Sequence, residues 1–184
     1  YYDNKKGFWK WQRPNLFGTT ADLFTQTIVV PFLIPMLENA GAVVFTPRER
    51  DWQTDEYIVD NDGGLNSSDS QYKEYAESGS WLKAPHEGFK AHSGHYVDHE
   101  NPFLAGTARM MKASKKSDKA FVKYQPHFAK EGRYAVYVSY QSLPNSVDDA
   151  HYTVFHKGQA TEFRVNQQMG GGTWVYLGTF DFDK

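Results

Sequence analysis

The chain contains no cysteine among its 184 residues, which excludes a disulfide scaffold and thiol chemistry and leaves the compartment open. It has no surplus of positive charge. With 20 Lys and Arg against 22 Asp and Glu, the formal net charge is -2 and the isoelectric point is near 6.4, so phosphate-directed binding of nucleic acid is not expected. Long apolar runs are also missing: residues 28–37 form the longest, interrupted by Pro31 and Pro35, against the ~20 residues a membrane-spanning helix needs. A Gly-x-Ser-x-Gly elbow, a phosphate-binding loop, a dinucleotide fingerprint and internal repeats are likewise absent. The acidic pairs Asp148-Asp149 and Asp181 with Asp183 fall in a turn and at a strand end, where turn formation and solubility account for them. The opening Tyr1-Tyr2-Asp3 suggests an internal piece of a longer protein.

What the chain has in quantity is aromatic surface: 5 Trp, 12 Tyr and 13 Phe. Such residues suit sheet packing, and they also suit stacking on sugar rings. Two periodicities divide the sequence. Residues 19–41 read as a helix, opened by Thr19 and Asp22 in a capping-box arrangement, kinked at Pro31 and closed by Gly41. Ala42 to Phe45 then read as a short buried strand, which makes half of an α/β unit. Residues 1–18, broken by Gly7, Pro14 and Gly18, do not supply the partner strand. The polar, glycine-rich stretch 60–71 marks a boundary, with segments 1–63 and 64–184 on either side. Beyond it the period is two. Strands are expected at 121–124, 133–140, 151–156, 160–166 and 173–182, parted by short turn signals, and this pattern predicts an antiparallel β-sandwich of jelly-roll-like type. The fold class is therefore mainly β with an N-terminal partial α/β segment. The basic run from Arg109 to Lys119 reads as a solvated loop or strand edge.

Three consecutive glycines, Gly170 to Gly172, precede a final strand in which Trp174, Tyr176, Phe180 and Phe182 fall on one period-two face. A phosphate-cradling loop would precede a helix, so these glycines do not form a nucleotide site. Most aromatics of the strand are expected in the core. The cluster His92-Ser-Gly-His95-Tyr-Val-Asp98-His99 has the composition of a metal site, but Gly94 opposes the helix that would align the imidazoles, and ordinary polar loop residues are the plainer account.

The stretch from Gly132-Arg133-Tyr134 through Ala150-His151-Tyr152-Thr153-Val154 and Val165-Asn166-Gln167 to Gly172-Thr173-Trp174-Val175 resembles the golvesin-like domain found at the C-terminal end of xanthan-lyase-type proteins. With Trp81 and Tyr96 the resemblance covers about residues 78–184. It implies a β-sandwich like a carbohydrate-binding module, attached to a larger secreted, periplasmic or cell-surface protein. The implied partner is a polysaccharide or a peptidoglycan glycan. Sugar contact by such a module would fall to aromatics near loops, Trp81, Tyr96, Tyr140 and Tyr152, with Asn166 and Gln167 supplying amides for hydroxyl groups. Residues 1–60 resemble part of a zinc-dependent N-acetylmuramoyl-L-alanine amidase through Asp22, Leu37-Glu38-Asn39-Ala40-Gly41, Val43-Val44-Phe45-Thr46, Arg48 and Asp51. That resemblance implies zinc in a complete parent protein, with Asp22 in the place of a ligand that is usually glutamate. A complete catalytic constellation is not present in the chain, so a parent enzyme would be an amidase or a polysaccharide lyase, and a ligand-free spacer is the third reading.

Overall fold

Alternation of inward and outward residues governs the C-terminal half of the chain, and its computed structural model shows what that alternation builds. The structure describes residues 1–13, 17, 19–42, 44, 55–63, 75–89, 96–101, 104–114 and 120–184. Two compact units result, one of residues 1–54 with 96–100 and one of residues 55–95 with 101–184.

In the first unit, β1 (Tyr2–Asp3) and β2 (Phe8–Trp9) form a small antiparallel hairpin within the segment that the sequence left without a strand. The Asp3 carboxylate caps its turn by accepting the Lys5 and Lys6 amides at 3.0 and 3.2 Å, a local pattern that favours turns over longer strands. The expected helix is present as a kinked run: α1 (Ala21–Phe24), α2 (Gln26–Ile28), a π-helical turn (Val29–Leu33) and α3 (Ile34–Asn39). Pro31 lies in the middle of the π turn. It has no N–H to give, and its ring would meet the carbonyl four residues back, so the wider i→i+5 geometry takes up the defect. The N-cap is Thr20, without a side-chain cap bond, so the capping box does not form. The C-terminus is a Schellman motif: Gly41, at φ +89°, donates to Glu38 O at 2.9 Å and Ala42 donates to Leu37 O at 3.0 Å. Ala42 and Val44 are not in strand conformation, and Val43 and Phe45 lie outside the described residues.

The second unit is built of antiparallel pairs. β3 (Tyr75–Ser78) pairs with β6 (Phe121–Tyr124), and β4 (Leu82–Glu87) with β5 (Thr107–Met110). β7 (Gly132–Val138) pairs with β10 (Val175–Phe182), while β8 (Ala150–His156) and β9 (Gln159–Val165) form a hairpin. Pro85 sits where the β4–β5 register shifts, as a residue without a ladder donor requires. On β8 the side chains of Tyr152, Val154 and His156 are half-buried and those of His151, Thr153 and Phe155 exposed. The inward rings meet β10: His156 lies 4.7 Å and Phe163 6.0 Å from Phe180, centroid to centroid, so the β8–β9 hairpin faces the β7–β10 pair as the two layers of a sandwich. Phe182 extends the same core to Phe128, which stacks on Tyr134 at 4.6 Å. Arg109 of β5 forms a two-pronged ion pair with Glu77 of β3 at 2.6 and 2.9 Å and so joins the other two strand pairs; it is not a solvated edge residue. That guanidinium holds the Glu77 carboxyl below the usual carboxylate range.

The final strand is not a single aromatic face. A one-residue bulge falls between Tyr176 and Gly178, whose partners on β7 are the adjacent Tyr137 and Val136. An extra residue inverts the parity of everything beyond it. Tyr176 therefore faces solvent, 55% exposed, while Phe180 and Phe182 turn into the core.

The triple glycine has a packing reason at each position. Gly170 and Gly172 take φ of +77° and +75°. A Cβ on Gly171 would lie 2.5 Å from the Ser142 amide nitrogen and 2.8 Å from the Tyr140 carbonyl oxygen. Gly171→Ala is expected to destabilise the domain by about 1–3 kcal/mol, because main chain must move to admit the methyl group. Denaturant titration checks this, and an unchanged midpoint would refute the close approach. The β8–β9 turn gives the opposite expectation. Lys157 and Gly158 both have positive φ, +38° and +70°, as a type I′ turn demands, so Lys157→Asn should stabilise the hairpin by about 0.5–1 kcal/mol and raise the melting temperature.

Candidate functional site

Four of the residues named from sequence converge on the loop between β9 and β10. Tyr140 donates its hydroxyl hydrogen to Met169 O at 2.8 Å. Gly171 N–H donates to Ser142 Oγ at 3.1 Å, and Gly172 N–H to Tyr140 O at 2.9 Å, so the glycine loop lies against the segment after β7. Asn166 Oδ1 accepts the Gln168 amide at 2.9 Å, an Asx turn that opens the loop. Gln167 Nε2 donates to the Tyr152 hydroxyl at 2.7 Å, and its own amide donates to Val147 O at 3.0 Å. Tyr152 and Gln167 thus direct their polar groups at each other and at main chain. Burial pushes the Tyr152 phenol up to about 12, against the opposing effect of the Gln167 hydrogen bond, and burial also raises that of Tyr140.

The other named residues lie elsewhere. Trp81, half-buried before β4, donates Nε1–H to Ser78 O at 3.0 Å, and its carbonyl accepts from Arg109 at 3.2 Å. Tyr96 belongs to the first unit, where its carbonyl accepts Trp11 Nε1–H at 2.6 Å. In the same unit His99 takes a left-handed backbone at φ +80°, donates its amide to Trp9 O at 2.6 Å and stacks on Phe8 at 4.1 Å. His92 and His95 lie outside the described residues, as does the side chain of Asp22, whose backbone is in α1. Among the described residues no three His, Asp or Glu side chains converge on one point.

Beside the loop is a shallow concavity of about 470 Å³ between β9 and the start of β10. Half-buried Val165, Val175 and Leu177 line it together with exposed Tyr176, Met169 and Arg164. The ring of Tyr176 lies 5.3 Å from that of its cross-strand partner Tyr137, and its hydroxyl is 2.6 Å from Thr179 Oγ1. Sequence reasoning placed Tyr176 among strand aromatics and did not single out Arg164 or Met169. The bulge that separates Tyr176 from the parity of Phe180 and Phe182 leaves no mark in the residue pattern.

An antiparallel sandwich carrying an aromatic groove at one end defines the class of module. The chain belongs to the Golvesin C-terminal domain family, whose model matches residues 66–184. A solved structure of a Paenibacillus xanthan lyase is similar in fold, with a TM-score of 0.52 and 23% sequence identity over 69% of this chain. The match spans 10% of the length of that enzyme. No curated protein matches the chain. Among the described residues no helix is long and apolar enough to cross a membrane.

The raised phenol of Tyr152 sets the sign of an alkaline dependence. A tyrosine in the unfolded chain ionises near pH 10, whereas the folded domain holds Tyr152 protonated to about 12. Its contribution to stability is complete below about pH 10 and is lost as pH rises through about 12. Denaturation midpoints measured across that window should fall more steeply in the natural chain than in a Tyr152→Phe variant; parallel curves would contradict the assignment.

Proposed function

We propose that the chain is a carbohydrate-binding module of a secreted or surface-exposed bacterial protein, directed at a polysaccharide or cell-wall glycan. The observation that carries this reading is the Tyr176–Tyr137 pair, an exposed aromatic face beside a groove with apolar walls. Pyranose rings present C–H faces that stack on such surfaces, and their hydroxyls take up nearby amides and carbonyls. Asn166 lines the same groove and is exposed, with Tyr140 beside it. Membership of the Golvesin C-terminal domain family supports the module reading, and the small share of the xanthan lyase that is matched supports an accessory place beside a larger enzyme acting on polysaccharide. On this reading the domain spans residues 64–184, and residues 1–63 are the partial amidase-like segment. Zinc would then belong to the complete parent protein.

The test is a glycan array followed by pull-down on insoluble polysaccharides with the 184-residue chain. Selective binding is expected, with Tyr176→Ala weakening it roughly three- to tenfold while leaving the circular dichroism spectrum unchanged, since the side chain is mostly exposed. A folded chain that retains no glycan would instead be a structural spacer.

A further inference from the structure

Strand β9 pairs with β8 along one side, and among the described residues no strand pairs with it along the other. The two-residue loop Lys157-Gly158 closes on His156 and Gln159, which exchange both backbone bonds in such a hairpin, and the exchange recurs at every second position: Val154 with Thr161, Tyr152 with Phe163, Ala150 with Val165. The amides and carbonyls of Ala160, Glu162 and Arg164 therefore point away from β8, and they meet no partner among the described residues. The shallow concavity of about 470 Å³ lies beside residues 163–166 of this strand, with Val175 and Leu177 of β10 as its far wall. Exposed edges are ordinarily blunted by proline, lysine or a bulge, as Pro85 and a register shift interrupt β4. β9 carries none of the three and is regular over its seven residues.

We propose that this edge is an interface between two copies of the chain, β9 pairing antiparallel with β9 of a second copy about a two-fold axis at Phe163. Charge complementarity selects the occupant and the register. Centring the pair on residue 162 or 164 would oppose Glu162 or Arg164 to itself, and centring it on Thr161 would run each strand into the Lys157-Gly158 turn of the other. Centred on Phe163, the pair opposes Glu162 to Arg164 of the second copy, and symmetry makes the contact twice. The same alignment brings the outward-pointing amides and carbonyls of those two residues face to face, as an antiparallel ladder requires. Phe163, whose ring lies on the inward side 6.0 Å from Phe180, then meets its own mate across the axis. β8 carries no acid that could set a register in this way. The product is a four-stranded antiparallel sheet in which β9 is no longer an edge. Tyr176 belongs to the other layer, and glycan binding is not a premise of the pairing.

The experiment is sedimentation velocity of the whole chain over a range of concentrations, with Arg164→Glu and Glu162→Arg variants run alone and mixed. Expected for the natural chain is a monomer–dimer equilibrium that weakens with added salt. Each reversal opposes like charges at both symmetric contacts and should raise the dissociation constant about tenfold. An equimolar mixture of the two variants sets Glu against Arg again at both contacts, so association should return to the natural strength. Both side chains are exposed, and the circular dichroism spectrum should be unchanged by either substitution. A natural chain that stays monomeric at every concentration, a dimer that both reversals leave intact, or variants that fail to associate on mixing would overturn the interface.

Discussion

The second unit depends on a close main-chain approach, that of the glycine loop to residues 140–142. Gly171 and Gly172 donate amides to Ser142 Oγ and Tyr140 O, Tyr140 returns a hydroxyl bond to Met169 O, and Gln141 Nε2 reaches Glu87 O at 2.6 Å. One three-residue stretch therefore ties the end of β7 to the entry of β10 and to β4. Each of these bonds satisfies a backbone group that would otherwise need water, and the contact is possible only because no Cβ stands at Gly171. Hydrogen bonds of this kind contribute modestly one by one, about 1 kcal/mol, but the four share a single geometry and are lost together if it shifts.

Burial elsewhere in the unit is sparing. Among the described residues, the hydrophobic side chains buried almost completely are Ile34 in the first unit and Ala84 in the second. Packing between the layers is instead carried by half-buried rings, His156, Phe163 and Phe180 on one side and Phe128, Tyr134 and Phe182 on the other. Edge-to-face and offset ring pairs hold their partners by geometry as well as by area, so a sandwich with little fully enclosed volume can still set a defined spacing between its sheets. Arg109 plays the corresponding part between β3 and β5, where the ion pair with Glu77 replaces an apolar contact.

Much of this was legible from residue periodicity. The strands at 121–124 and 151–156 lie within a residue of their expected ends, because alternation over half-buried strands is a strong local signal and the Lys157-Gly158 turn fixes the hairpin register. The kink at Pro31 and the stop at Gly41 followed from backbone chemistry alone. What could not be read was the bulge after Tyr176. Nothing local distinguishes a regular strand from one carrying an extra residue, and yet that residue decides which aromatics reach the core. Short hairpins escape for a related reason: β1 and β2 are two residues each, too brief for a period to show.

The same bulge sets Tyr176 apart from the other tyrosines around the loop. Tyr140 and Tyr152 have committed theirs to Met169 O and to Gln167, and burial raises both phenols. A buried phenol bound in this way is held protonated and fixed in orientation, which suits the support of a loop. Tyr176 is different because its hydroxyl bonds to Thr179 of its own strand and its ring remains open beside Tyr137. Had the strand run without an extra residue, Tyr176 would share the parity of Phe180 and turn inward, and the groove would lose its exposed ring. A local irregularity of the ladder thus converts one of a row of core aromatics into a surface one at the edge of the groove.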